Sequence, residues 1–308
     1  LIPRTRRGRI LLSICLVICI AVPGIGSVTA FAAVRHETSL AQSGVQHVRT
    51  AADTLKAIQQ GSLDAAHAAR AESEFTAAYN DFSQLQQDMG RIPGGTFVPI
   101  LGGKLDSAAR LLPLAIDASR AGMLGSDALG VLVTGLSDPL NSKSPGITQK
   151  DLTAIGADLA QITALFNADV ARLNQLQPSD LQLDPRLAPA LAQFRTALPA
   201  LRQGLADAQA AIQLAPALIG VGKPSNYLVE LLDSTELRPG GGFIGNYGIL
   251  TLSGGRLDSL HVTDVDLLDR PFEFAGNVIP YPDAYKWFTT APAWSLRDSN
   301  LDADFPTS

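Results

Sequence analysis

The residues of this sequence best suited to chemistry lie in the stretch ELRPGGGFIGNYG, Glu236 to Gly248. Arg238 carries a planar, permanently charged fork suited to phosphate or carboxylate. Pro239 fixes one dihedral, and Gly240, Gly241 and Gly242 accept positive φ, so consecutive N–H groups can form an anion-binding nest. Glu236 is placed to orient Arg238. The competing reading is local: Glu236 and Arg238 pair with each other, and the glycines only make a turn.

Carboxylates gather further along. Asp264, Asp266 and Asp269 crowd one short segment, and Asp298, Asn300, Asp302 and Asp304 alternate in RDSNLDAD. Alternating oxygen ligands resemble a calcium loop, but Ala303 stands where the EF-hand template needs glycine. The candidate ligands for a divalent cation such as Mg²⁺ are therefore Asp264, Asp266, Asp298, Asp302 and Asp304. The alternative is a solvated acidic loop whose side chains cap turns. Taken together, Arg238 and the glycines would hold phosphate, Asp264 or Asp266 would hold Mg²⁺, and Arg297 would add a second positive clamp. Phosphoryl transfer relies on such positioning and charge stabilisation. Other catalytic sets are missing: His36, His47, His67 and His261 are scattered, and no G-x-S-x-G, Walker loop or H-E-x-x-H occurs.

The elements that must position these residues come in two kinds. From about Ser39 to Gly220 the apolar spacing is helical. Val45, Val48, Ala52 and Leu55 form one stripe, and Phe75, Ala78, Phe82, Leu85 and Met89 a second. Leu152, Ile155, Leu159, Ile162, Phe166, Val170, Leu173 and Leu176 form a third, opened by Thr148 and Asp151 as a capping box. Leu187, Leu191, Phe194, Leu198, Leu201, Leu205, Ala208 and Ile212 form a fourth. Asp184 and Pro185 stand where its N-cap and first residue should be, and Pro199 should kink or split it. Such one-faced helices pack into a bundle or hairpin. The stretches Gly90–Lys104 and Ser137–Thr148 read as loops.

At Pro224 the period changes. Asn226–Asp233 and Phe243–Leu252 have strand composition, Ser253–Arg256 is a hairpin turn signal, and Leu257–Asp264 returns antiparallel. Glu236 to Gly242 is then the loop joining the first two strands. A short helix is expected from Pro282 to Phe288. The predicted fold class is α+β or α/β, with a mixed domain that begins with three strands, and the chain reads as a fragment truncated at the C-terminus.

The N-terminus sets location. Arg4, Arg6, Arg7 and Arg9 form a basic tail over residues 1–9, ahead of an uncharged run from Ile10 to Val34. That run is long enough for a transmembrane helix, and the flanking arginines place the N-terminus in the cytoplasm. Residues 35–220 would form an extracytoplasmic helical region and 221–308 the second domain. A cleaved signal peptide is the alternative, with Ala30-Phe31-Ala32 as the cleavage pattern. Either way the bulk of the chain leaves the cytoplasm. The only cysteines, Cys15 and Cys19, lie inside this run, so the exported part has no thiol for a disulfide or a zinc site. Net charge is -5, and no basic block follows the first ten residues, which argues against nucleic-acid binding.

NYLVELLDSTELRPGGGFIGNYGILTLSGGRL, with the later DVDLLD and WSLRDSNLDADFPTS, resembles the bacterial domain-of-unknown-function family four-zero-one-two. That resemblance implies an N-terminal anchor, a helical region and a strand-loop-strand domain. Members usually carry a small polar residue where this chain has Gly240, which implies a more flexible loop. A more distant similarity is to the LytR–CpsA–Psr enzymes, which move glycopolymers from a polyprenyl-pyrophosphate lipid to peptidoglycan. On that similarity Arg238 would match a pyrophosphate-binding arginine and Asp264 a metal-binding acid, but the Ser-x-Pro-Arg-Asp signature has no copy here. The resulting expectation is a membrane-anchored cell-envelope protein with a binding or assembly role and an anionic-ligand loop. Its partners would be the membrane, an envelope glycopolymer or a pyrophosphate lipid. The alternative is a phosphotransferase of the LytR–CpsA–Psr kind.

Overall fold

A computed structural model describes residues 35–59, 64–90, 99–141, 143–176, 187–287 and 293–304. The expected anchor at 10–34, the basic tail and the cap at Asp184–Pro185 lie outside these residues. Among the described residues, no helix is long and apolar enough to cross a membrane. Among the described residues the architecture is α+β: six α-helices and a three-stranded antiparallel sheet. The chain divides into two compact units. The first runs to Asp138 and resumes from Ser144 to Pro216; the second comprises Pro139–Lys143 and Ala217–Ser308.

The first unit is helical. Its elements are α1 (Arg35–Gln59), α2 (Ala65–Gly90), α3 (Pro99–Leu136), α4 (Gln149–Asn174) and α5, which spans Leu187–Ile219 and leaves the unit in its last turn. The predicted stripes are the buried faces. Val45, Val48 and Leu55 from α1 share a core with Phe75, Phe82 and Leu85 from α2 and Leu112 and Ala115 from α3. Two further cores join α3 and α4 to α5. One gathers Ile162, Phe166, Leu201 and Leu205, and the other Ala128, Ile155, Leu159 and Ala208. Each fully buried Phe or Leu contributes about 1.5–3 kcal/mol, so these stripes rather than local propensity hold the helices together.

Glycine sets how closely the helices approach. A Cβ at Gly44 would lie 2.6 Å from the Phe82 ring, and one at Gly122 would lie 2.6 Å from the Phe75 ring. The two phenylalanines of α2 thus fill space that α1 and α3 leave by omitting a side chain. The capping box forms as expected. Asp151 N–H donates to Thr148 Oγ1 at 3.2 Å, and Thr148 N–H donates to Asp151 Oδ2 at 2.8 Å. Hydrogen bonds from the Thr148 side chain and backbone hold the Asp151 carboxyl below its ordinary range. Between α3 and α4, Arg172 donates from Nη1 to both Asp117 and Asp169.

Two expectations about the helices are corrected. Of the kink or split expected at Pro199, the split does not occur: α5 runs through both Pro199 and Pro216. A mid-helix proline costs about 3 kcal/mol; burying Leu191, Leu201 and Leu205 on either side of Pro199 outweighs that. Second, α3 already begins at Pro99, inside the stretch 90–104 read as a loop. Proline is well placed at a helix start, where its missing N–H would have no partner.

The second unit is built on the sheet β1 (Ser225–Asp233), β2 (Phe243–Ser253) and β3 (Arg256–Asp264), in the order β1-β2-β3. Leu228 faces Ile249, which faces His261, fixing the register across all three strands. The β2–β3 hairpin is anchored outside the ladder, where Gly254 and Gly255 donate to the carbonyls of Gly220 and Ile219 at 2.9 and 2.7 Å. Leu257 N–H donates to Pro139 O at 2.7 Å, which explains why Pro139–Lys143 belongs to this unit. A sixth helix, α6 (Asp266–Phe274), follows β3 and was not foreseen. The expected helix at 282–288 reduces to a single 3₁₀ turn, Asp283–Tyr285, with residue 288 outside the described set.

Candidate functional site

The loop between β1 and β2 is where the sequence places its chemistry. It leaves β1 through a turn made by Asp233, whose Oδ1 accepts from the Thr235 N–H at 2.9 Å and from the Thr235 hydroxyl at 2.6 Å. These bonds, the hydroxyl first, hold the Asp233 carboxyl below its ordinary range. The loop closes where Phe243 N–H donates to Glu236 O at 3.0 Å.

Arg238 turns inward. Its Nε donates to Asp298 Oδ1 at 3.0 Å, its Nη1 donates to the Leu237 carbonyl at 3.1 Å, and its guanidinium carbon lies 5.2 Å from the centre of the Phe243 ring. The side chain is 15% exposed and that of Asp298 is 6%. Glu236, read as the orienting acid, is only 4.0 Å away from Nη2 and largely exposed. Asp298 orients Arg238 instead, 60 residues later in the chain. The other Asp298 oxygen accepts from the Tyr281 hydroxyl at 2.8 Å, and its backbone carbonyl accepts from Trp294 Nε1 at 2.8 Å.

The glycines are fixed by the same segment. Gly240 N–H donates to Asn300 O at 3.0 Å, and Asn300 Nδ2 donates to Gly242 O at 2.7 Å. A Cβ at Gly240 would lie 2.8 Å from Asn300 Cβ and 2.9 Å from Asn300 O. The expectation of a more flexible loop at Gly240 is thus corrected: the missing side chain lets Asn300 dock, and the loop is pinned. Gly241 N–H donates to Arg238 O at 3.0 Å, so two of the glycine amides already have protein acceptors. Gly241 and Gly242 have φ of 116° and 156°. At Gly242 a side chain would strike the Asp233 carbonyl at 2.4 Å.

Arg297 is also committed. Its Nε donates to Asp269 Oδ2 at 3.0 Å, Nη1 lies 2.9 Å from Asp266 Oδ1, and Nη2 lies 3.7 Å from Glu273. Burial pulls its pKa down. Hydrogen bonding to Asp269 and the fields of Asp266, Asp269 and Glu273 more than offset this and raise it. Asp269 is buried and also accepts from the N–H groups of Leu296 and Arg297 at 3.1 and 3.2 Å. Two buried carboxylates, Asp269 and Asp298, thus staple the segment 293–304 onto α6 and the β1–β2 loop.

The five candidate metal ligands do not converge. Asp298 faces Arg238 and Tyr281, and Asp266 pairs with Arg270 and Arg297. Asp264 accepts from the Asp266 N–H at 2.8 Å in a turn leading into α6, and Asp302 accepts from the Asp304 N–H at 2.8 Å. Among the described residues, no group of three or more His, Cys, Asp or Glu is arranged to hold a metal ion. Asp264 and Asp302 accept within turns, Asp304 donates its backbone N–H to Asp302, and Asp266 and Asp298 serve arginines. Asp269, which the sequence reading left out of the site, is as buried as Asp298. Its signal was its place in the first turn of an unrecognised helix, where an acid faces the helix N-terminus.

The boundary between helices and sheet coincides with a family assignment. Residues 223–308 match the family model described as protein of unknown function (DUF4012). Over these residues the chain resembles the DUF4012 family. No curated protein and no solved structure matches the chain. The DUF4012 region begins just before β1 and contains every residue of the candidate site: the Arg238 loop, α6 and the stapling segment.

Proposed function

We propose that this chain is an exported, membrane-anchored envelope protein whose DUF4012 domain binds or assembles envelope polymer rather than transferring phosphoryl groups. The observation that carries this reading is the commitment of both candidate clamp arginines. Arg238 is engaged by buried Asp298, and Arg297 lies among Asp266, Asp269 and Glu273. A transferase of pyrophosphate lipids needs guanidinium groups open to the phosphates, and opening these would leave two buried carboxylates without their counter-charges. The residues 10–34 supply the anchor on this reading, with their four preceding arginines holding the N-terminus in the cytoplasm.

Binding to a glycan would use the aromatics of the second unit. Tyr281 is buried and spends its hydroxyl on Asp298, whereas Trp287 is 79% exposed with Nε1 bound to the Ala284 carbonyl. An exposed, anchored indole offers a face for sugar stacking. The test is a thermal-shift and binding comparison of the purified chain against polyprenyl pyrophosphate with Mg²⁺ and against cell-wall glycan fragments. Stabilisation by glycan that is lost in Trp287→Ala supports the proposal. Turnover of the pyrophosphate lipid, or its binding through Arg238, overturns it in favour of the LytR–CpsA–Psr-like alternative.

A further inference from the structure

The helical unit contains a cavity of about 410 Å³ that the DUF4012 reading does not use. It is walled by α2 through Ala65, Ala69 and Glu72, by α3 through Ser126, Asp127 and Val131, and by the loop into α4. Three of its lining side chains are carboxylates: Glu72, Asp127 and Asp151. Among the described residues, no lysine, arginine or histidine lines it.

Asp151 is already used, because one of its oxygens accepts from both the N–H and the hydroxyl of Thr148 at the start of α4. Glu72 and Asp127 are different. No hydrogen bond or ion pair to either side chain exists among the described residues, and the charge of Asp127 acts on Glu72. Burial first, and then Asp127, push the Glu72 carboxyl above its ordinary range. Asp158, on the neighbouring turns of α4, is raised by the same two causes. Carboxylates gathered this closely disfavour one another's charged form, and the field of Lys150 reaches Asp151.

A second observation is independent of the acids. Ser126 lines the same cavity, is 1% exposed, and its hydroxyl has no hydrogen-bond partner. A buried hydroxyl left unpaired is costly, and native structures rarely keep one without a use. Ser119, one helical stretch earlier on α3, shows the ordinary solution: its hydroxyl donates to the Ala115 carbonyl at 2.8 Å.

We infer that this cavity binds a small organic cation bearing a primary ammonium group, held between the Glu72 and Asp127 carboxylates with Ser126 Oγ as a further acceptor. An ammonium brings three N–H donors, matching two carboxylates and one hydroxyl oxygen. Its carbon chain would lie along Ala65, Ala69 and Val131. The volume suits a small molecule rather than a bare ion, and among the described residues no group of three or more His, Cys, Asp or Glu is arranged to hold a metal.

The test is isothermal titration of the purified chain at neutral pH with 1,4-diaminobutane and, separately, with Nα-acetyl-lysine amide. The two arms separate a free amine from a lysyl side chain, and CaCl₂ serves as the metal control. Millimolar or tighter binding of either amine is expected, weakened at least tenfold (about 1.4 kcal/mol) in Asp127→Asn and in Glu72→Gln. Ser126→Ala gives the sharper contrast. It removes an unpaired buried hydroxyl, so the free variant should melt no lower than the parent, yet its amine affinity should fall several-fold. Four results would each overturn the inference: no amine binding up to about 10 mM, binding unchanged in both carboxylate variants, binding unchanged in Ser126→Ala, or displacement of the amine by Ca²⁺.

Discussion

Replacing Asp298 with alanine tests the account of the second unit most directly. In the native chain this carboxylate holds Arg238 Nε at 3.0 Å and the Tyr281 hydroxyl at 2.8 Å, from a position where it is 6% exposed. Removing one partner of a buried ion pair costs about 3–5 kcal/mol, because the other charge stays desolvated. Arg238 would keep the Leu237 carbonyl, the Phe243 ring and the distant Glu236, which moderates the loss. Tyr281 would lose its acceptor, which adds about 1 kcal/mol. The expected destabilisation of the unit is therefore about 3–4 kcal/mol. Asp298→Asn, which keeps an acceptor but not the charge, should lose about half as much. Both tryptophans of the chain, Trp287 and Trp294, lie in this unit, so urea unfolding followed by tryptophan fluorescence reports it separately from the helices. The Trp294 indole binds the backbone carbonyl of residue 298, which survives the substitution, so the probe remains. A double variant, Arg238→Met with Asp298→Leu, should recover much of the stability lost in Asp298→Ala, since no charge is then left buried alone. A loss below about 1 kcal/mol in Asp298→Ala, or no recovery in the double variant, would refute the structural role given to Arg238.

Other outcomes follow from the same geometry. Burial and the neighbouring Asp117 push the Asp169 carboxyl up to about 7 against the pull of Arg172, from an ordinary value of 3.8. The folded chain then binds this proton more tightly than the unfolded chain, so the helical unit should lose stability as pH rises from about 4 to about 7. The loss is at most on the order of 4 kcal/mol. Asp169→Asn should flatten that slope in melts followed by helical circular dichroism, and an unchanged slope would contradict the assignment. Gly122→Val should cost at least about 2 kcal/mol by the same measurement, because a Cβ there would lie 2.6 Å from the Phe75 ring. Thr148→Ala should cost about 1 kcal/mol by removing the capping box of α4. Gly240→Ala should destabilise the tryptophan-reported unit by displacing Asn300, whereas a flexible loop would accept it without loss.

Taken alone, the sequence determined the periodic parts of this protein. The stripes from Val45 to Leu55, Phe75 to Leu85 and Leu152 to Val170 are the buried faces of α1, α2 and α4, because a helix that buries one side must repeat its apolar residues at that spacing. The switch to strands at Pro224, the antiparallel order and the capping box at Thr148 were legible for the same reason: each is local, decided by neighbours within a few residues. Tertiary structure decided the pairing of charges. Glu236 stands two residues from Arg238 and looks like its partner, yet Asp298 takes that place, since a buried carboxylate 60 residues away gains more from the guanidinium than an exposed one nearby. It also decided that Pro199 could stay inside α5, that Gly240 marks a docking contact rather than a hinge, and that Glu72, Ser126 and Asp127 meet around one cavity. Those outcomes depend on which elements pack together, and no short window of sequence carries that information.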